Sequence, residues 1–267
     1  GDDVSVGVGR THYGMTRWIG TIGTNAAESY KNIPPTGEVR PGDKALIIGA
    51  AGPMGQMHAI RLVSSGIENL SVVGTDFDDH RLASLGDKVS ALAEERGIAL
   101  SLVNPKETPL TDKFSYFAIM APVGAVVAQA VKDSAAGALI NIFAGIPASV
   151  KQEIDLDTYI GNRCFMFGTS GSRLLDMKIV LEKVLSGQLN TDRSVDAVSG
   201  MAGAIDGIRA VEARSLAGKI IVYPQLKELP LTPLSELAGK YPTVAEKLDA
   251  GIWTKEAEKE LLKVAAA

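Results

Sequence analysis

The sequence predicts an α/β fold, a doubly wound parallel sheet of the Rossmann type. Three observations carry this expectation. Short apolar runs sit between turn signals, helical stretches alternate with them, and a glycine-rich turn joins the first such strand to the first such helix. Hydrophobic residues fill 46% of the 267 positions, enough for one sizeable core and a smaller appendage.

Taken in order, residues 1–24 are rich in Gly and Thr without a clear period and read as an irregular lead-in. Asn25 can cap a short helix running to Asn32, which Pro34-Pro35-Thr36-Gly37 stops. Arg40-Pro41-Gly42-Asp43 turns the chain into a strand over 44–49, apolar enough to be buried on both faces. A helix over 55–65, a strand over 70–74, a long helix over 79–96 and a strand over 98–103 follow. The pattern continues with a strand over 114–120, a helix over 123–133, a strand over 138–143, a short strand over 164–167 and a helix over 174–185. Beyond this the regularity loosens into a helix at 203–213, a strand at 218–223, a punctuated linker at 228–234 and short helices at 235–237, 244–249 and 255–264. The expected organisation is an irregular segment over 1–40, a Rossmann domain over 41–225 and a helical C-terminal tail over 226–267. No repeat at solenoid or propeller spacing is visible.

Composition excludes several function classes. Charged residues make up 22% and the formal net charge is −4, which argues against nucleic acid and against a polybasic membrane anchor. Apolar runs are of strand length, so no membrane span is expected. One cysteine, Cys164, allows no intrachain disulfide and suits a reducing, cytoplasmic setting. The chain opens on Gly1 without a secretory signal, and a processed or excised N-terminus is the expectation.

The informative stretch is Lys44-Ala-Leu-Ile-Ile-Gly49-Ala-Ala-Gly52-Pro53-Met54-Gly55. Glycine adopts tight-turn angles at little cost, lets a pyrophosphate approach the backbone, and lets a helix lie close to its strand. Helix N-terminal amides then attract phosphate, and Pro53 suits a first turn where its missing amide costs least. Such a turn calls for an acid about 20 residues on to hold a ribose hydroxyl pair. Asp76 stands there, while Asp78 or Asp79 fits the role of helix cap better. Three carboxylates close together favour NAD over NADP, with His80 and Arg81 as the opposing weight.

With these residues in place, the chain resembles the medium-chain dehydrogenase/reductases, the superfamily of zinc-type alcohol and polyol dehydrogenases. Arg40-Pro-Gly-Asp43 leading into Gly49 to Gly55 is similar to that superfamily's entry into its cofactor domain. Ala121-Pro122 and Asn141-Ile-Phe143-Ala-Gly145 are similar to segments lying beside the cofactor and the nicotinamide. Gly168-Thr-Ser-Gly-Ser172 resembles the segment after the sixth strand, and the tail from Leu234 to Glu258 resembles reductases of the L-sorbose-1-phosphate type. The resemblance implies a cofactor-binding portion of an oxidoreductase acting on a polyol, sugar or sugar phosphate. It also implies pairing of cofactor domains at the sixth strand, hence a homodimer. A catalytic zinc needs about three protein ligands with one position open. His12, His58, His80 and Cys164 are too scattered to supply them, so the chain is expected to bind no zinc and to be inactive alone.

Plainer readings stand beside these. Cys164 fits a buried small residue, and His58 a packing residue. His12, Tyr13 and Arg17 suit a docking or flexible segment better than a substrate pocket, and Ser170 and Ser172 suit a cap. Trp253 can anchor the last helix or fill a partner's groove. Two alternatives remain for the whole: a short NAD-sensing or scaffolding module without catalysis, and a zinc-independent reductase of the quinone-reductase kind, suggested by the extra residue between Gly49 and Gly52.

Overall fold

The computed structural model describes residues 3–265. They form two compact units, one up to Ser186 and one from Gly187. In the first, six parallel strands stand in the order β4-β3-β2-β5-β6-β8. They are β2 (Lys44–Ile48), β3 (Ser71–Thr75), β4 (Ala99–Val103), β5 (Phe114–Ile119), β6 (Ser134–Ile142) and β8 (Phe165–Phe167). A separate antiparallel pair joins β1 (Val4–Val6) to β7 (Gln152–Ile154). The helices of this unit are α1 (Val8–Tyr13), α2 (Pro53–Val63), α3 (Asp79–Glu95), α4 (Gly124–Lys132), α5 (Leu156–Gly161) and α6 (Leu174–Leu185). The doubly wound parallel sheet expected from the sequence is therefore present.

Its centre is β2 and β5. Ala45, Leu46 and Ile47 of β2 and Phe114, Tyr116, Phe117 and Ile119 of β5 are all buried. Full burial of such side chains contributes roughly 1.5–3 kcal/mol each against the cost of ordering them. Strand β6 starts four residues earlier than its apolar pattern announces. Ser134-Ala-Ala-Gly137 carries no strand signal, but Phe114 pairs with Ser134 across a register shift, and Gly137 takes the positive φ of +73°. The lead-in is not irregular: β1 and α1 pack against this core, where Val6 and Val8 are buried. Asn25 caps the short 3-10 turn Ala26–Asn32, accepting the Ala27 amide.

Asp43 fastens the amino end of the sheet. It is 4% exposed and accepts bonds from the Arg40 amide, the Arg40 guanidinium and the Ser115 hydroxyl. Arg40 also donates to the carbonyls of Ser115 and Gly137, so one ion pair ties β2, β5 and β6 together.

The second unit has its own sheet. Strand β9 (Val195–Ser199) pairs in parallel with β10 (Lys219–Val222) and antiparallel with β11 (Thr232–Pro233). The helices are α7 (Ala204–Glu212), α8 (Leu237–Lys240), α9 (Pro242–Ala245) and α10 (Lys255–Val264). The helix and strand read at 203–213 and 218–223 thus belong to this unit, and the segment read as a linker supplies a strand. Trp253 is 1% exposed and packs with Tyr223, Leu237, Val244 and Leu261, so it anchors the tail within its own unit. Among the described residues, no helix is long and apolar enough to cross a membrane.

Replacing Asp43 with Ala leaves the Arg40 guanidinium and the Ser115 hydroxyl without their buried acceptor. The expected loss is about 3 kcal/mol of unfolding free energy, read from urea melts. A loss below about 1 kcal/mol would show that the clamp adds little.

Candidate dinucleotide-binding site

In the sheet the chain moves outward on one side of β2 through α2 and α3, then returns to β5 on the other side. The strand order reverses between β2 and β5, and sheets of this order take ligands in a crevice beyond the carboxyl ends at that point. Gly49 enters it with φ of +84°, a conformation that favours glycine. The amides of Gly49 and Ala50 donate to the Thr75 carbonyl at 2.9 and 2.8 Å, which lashes the turn to β3. Gly52 is the N-cap of α2 and Pro53 its first residue. A Cβ at Gly55 would overlap the Gly49 carbonyl oxygen and stand 2.6 Å from that of Ala50, so only glycine lets α2 start this close to the strand. The first-turn amides of a helix have no carbonyl within the helix, and the positive end of the dipole lies at that terminus. Met54 is exposed beside this opening.

Two side chains hold the turn from below. Gln56, fully buried, and Arg81 both donate to the Ala51 carbonyl, at 3.3 and 3.1 Å. Asp78 is the cap of α3, accepting the Arg81 amide at 3.1 Å. Asp76, half-buried at the end of β3, accepts the Asp78 amide at 3.3 Å and is left without a capping duty. Sequence reasoning placed Arg81 near the ribose only as a weight towards NADP. Its folding back onto the glycine turn was not visible, because nothing in the α3 sequence says which way a first-turn arginine points.

Across the crevice, the Met120 amide donates to the Ile48 carbonyl, and a Cβ on Gly49 would lie 3.3 Å from that of Met120. Ala121 and Pro122 follow directly, with the Val123 amide bonded to the Ala121 carbonyl. Phe143 stands edge-on to His58 of α2, with centroids 4.8 Å apart. Gly145 is exposed, and a Cβ there would be 2.7 Å from the Tyr13 hydroxyl oxygen. Asn141, two residues before Phe143, lies in β6, paired with Ala118 of β5 on one side and Phe167 of β8 on the other. Thus the structure brings Gly49, Gly52, Pro53, Met54 and Gly55 together with Asp76 on one side and with Ala121 and Pro122 on the other.

The lead-in reaches the same end of the sheet. His12 is buried with Nδ1 3.1 Å from the Ile142 carbonyl oxygen, and Arg17 donates to the Gly168 carbonyl at 3.0 Å. Cys164 is buried against Ser134, and burial pushes its thiol pKa up, which suits a packing role. Among the described residues, no group of three or more His, Cys, Asp or Glu side chains is placed to hold a metal ion. A zinc centre of the kind the resemblance implies has no ligand set among them. A groove of about 440 Å³ lies away from the glycine turn, running along β3 and β4 from Lys44, Ser71 and Ala99 to Val103 and bordered by residues 108–112.

No family model matches the sequence. Two relatives align over 84% of this chain: the uncharacterized protein YggP of Escherichia coli K12 at 30% identity, and a mannitol-1-phosphate 5-dehydrogenase of Aliivibrio fischeri at 28%. The alignment spans 57% of the length of each of these relatives. Among solved structures, an E. coli CFT073 alcohol dehydrogenase, rspB, complexed with NADH superposes with a TM-score of 0.58 at 20% identity, over 72% of this chain and 55% of that one. L-idonate 5-dehydrogenase of E. coli K-12 superposes with a TM-score of 0.52 at 17% identity, over 68% and 50%. The chain shares its Rossmann fold with these structures. The glycine turn and the β2/β5 crevice described above are built on that fold.

Burial, with the Arg61 charge nearby, lowers the His58 pKa to about 4, so the ring packs on Phe143 uncharged at neutral pH. An imidazole held neutral contributes stability above its unfolded pKa of about 6.5 and loses it as pH falls towards 4. Between pH 7 and pH 5 the chain should lose about 2 kcal/mol through this group. Thermal melts of the wild type and of His58→Leu at the two pH values check it. The variant should show a drop smaller by that amount; equal drops would contradict the assignment.

Proposed function

We propose that the first unit binds a nicotinamide dinucleotide, NAD in preference to NADP, as the cofactor-binding part of an oxidoreductase acting on a polyol, sugar or sugar phosphate. The observation that carries the reading is the contact of Gly55 with the Gly49 and Ala50 carbonyls. It is a cradle that a single Cβ would fill, at the N-terminus of a helix and at the point where the strand order reverses. In this reading the backbone from Gly49 to Gly55 holds the pyrophosphate, and Asp76 accepts the hydroxyls of the adenine ribose. Ala121, Pro122, Phe143, Gly145 and the Asn141 backbone flank the nicotinamide. The bound cofactor supplies hydride exchange with a carbonyl or alcohol carbon, while the chain binds and orients it.

NAD is favoured by charge. Asp76, Asp78 and Asp79 would surround a 2′-phosphate, whereas Arg81 is engaged with the Ala51 carbonyl. The substrate class rests on the relatives: one is a mannitol-1-phosphate dehydrogenase and one structural neighbour an L-idonate dehydrogenase. Groups that move the substrate proton would come from outside the residues described. A purely sensing role would use the same crevice and bind the dinucleotide in the same way.

Calorimetry with NAD and NADP tests the reading. NAD should bind more tightly, and Asp76→Ala should weaken NAD about tenfold, the loss of a charge-assisted hydrogen-bond pair, while affecting NADP less or improving it. Equal affinity of wild type and variant for NAD would sink the assignment of Asp76.

A further inference from the structure

Residues 4–25 and 152–173 are two copies of one structural unit. The stretches align without a gap at a constant offset, and Ile19-Gly20-Thr21-Ile22-Gly23-Thr24-Asn25 falls on Phe167-Gly168-Thr169-Ser170-Gly171-Ser172-Arg173. At that offset β1 coincides with β7, residue for residue, and α1 coincides with α5. The irregularities match as well. Met15 and Arg163 are equivalent positions, and both carry the rare positive φ for a residue other than glycine, 50° and 53°. The Gly14 amide bonds to the Arg10 carbonyl as the Asn162 amide does to that of Thr158. Each is the residue after a helix C-cap, where chains commonly turn left-handed, as Arg214 also does after α7, so the comparison rests on the matched register of strand, helix and cap.

The two copies also face each other. Strands β1 and β7 pair antiparallel with Ser5 opposite Glu153, its own equivalent, and with Val4 opposite Ile154 and Val6 opposite Gln152. Farther along, Trp18 bridges antiparallel to Met166, again its own equivalent. Pairing of each residue with its counterpart is the signature of a two-fold axis, the relation by which identical subunits join. Here the axis lies within one chain. It runs beside β8, the edge strand at which the sequence led us to expect a second molecule. The edge is occupied: the Tyr159 hydroxyl accepts the Met166 amide and donates to the Trp18 carbonyl at 2.6 Å, and Arg17 reaches the Gly168 carbonyl.

We propose that residues 4–25 are a built-in copy of the β7–α5–β8 unit, seated where a second molecule's β7–α5–β8 unit would otherwise sit, so that this edge is closed to homodimerisation. An open strand edge is a template for pairing with another chain, and the repeat removes the template from within. The symmetry breaks where the copies meet different surroundings. Gly9, equivalent to Asp157, lies against the Pro147 backbone with no room for a Cβ, and the Thr11 hydroxyl, equivalent to that of Tyr159, is buried without a partner. The segment has therefore been adapted to this sheet rather than kept as a spare subunit edge.

Cysteine cross-linking in the full chain tests the proposal. Ser5 and Glu153 are both exposed, so substituting them spares the core. Residues directly opposite in an antiparallel pair bring their Cα atoms to about 4.5–5.5 Å, within reach of a disulfide. Mild oxidation of Ser5→Cys/Glu153→Cys should join the two thiols within one chain, seen as protection of both from alkylation at monomer mass. Glu153→Cys alone should stay monomeric on a non-reducing gel. In a dimer paired through β7, residue 153 would face itself, so disulfide-linked dimers of the single variant would overturn the proposal. So would thiols of the double variant that link between chains, or that both stay open to alkylation while its melting temperature matches the wild type.

Discussion

The absence of one carbon atom sets the geometry of the first unit. Because Gly55 carries no Cβ, α2 begins against the carbonyls of Gly49 and Ala50, at the point where the strand order reverses. Any side chain there would push the helix outward or force the turn open. The rest of the turn is arranged to keep that approach in place. Thr75 receives two amides from one side, and Gln56 and Arg81 grip the Ala51 carbonyl from the other. A binding surface made of backbone gains its precision from such supports, since it has no side-chain rotamers to settle.

The same end of the sheet collects opposite charges at short range. Three aspartates follow β3, and the one nearby arginine is drawn onto a carbonyl of the turn. Asp78 caps α3, whereas Asp76 accepts only the Asp78 amide among the described bonds. On the far side the site is apolar. Phe143 and the uncharged His58 ring form a wall next to Gly145, which suits a flat, weakly polar ring better than a phosphate. The crevice thus has a polar half and an apolar half, in the order a dinucleotide would need.

Much of this was legible in the sequence because the deciding signals are local. Buried strands announce themselves as apolar runs, and the glycine spacing and Asp76 follow from chain distance alone. What stayed hidden depends on partners far away in the chain. β1 has three residues, and its only reason to be extended is β7, nearly the whole first unit away. β11 is two residues of a Pro-rich stretch that pair with β9, and Trp253 declares itself a core residue only once Tyr223 and Leu237 surround it. Ser134-Ala-Ala-Gly137 becomes strand through Phe114 rather than through its own propensity. The repeat carries no solenoid signal because it occurs once, at long range, with few identities outside Gly20-Thr21 and Gly168-Thr169.

Hydrogen exchange of the full chain with and without NAD addresses the central claim most directly, because it reads the backbone that is held to do the binding. The account expects added protection over residues 49–57, at Asp76 to Asp79 and around Ala121 and Pro122, with the second unit and the β4 groove unchanged. Saturating NAD that leaves residues 49–57 unprotected, or that protects the groove beside Lys44 and Asp112 instead, would contradict it.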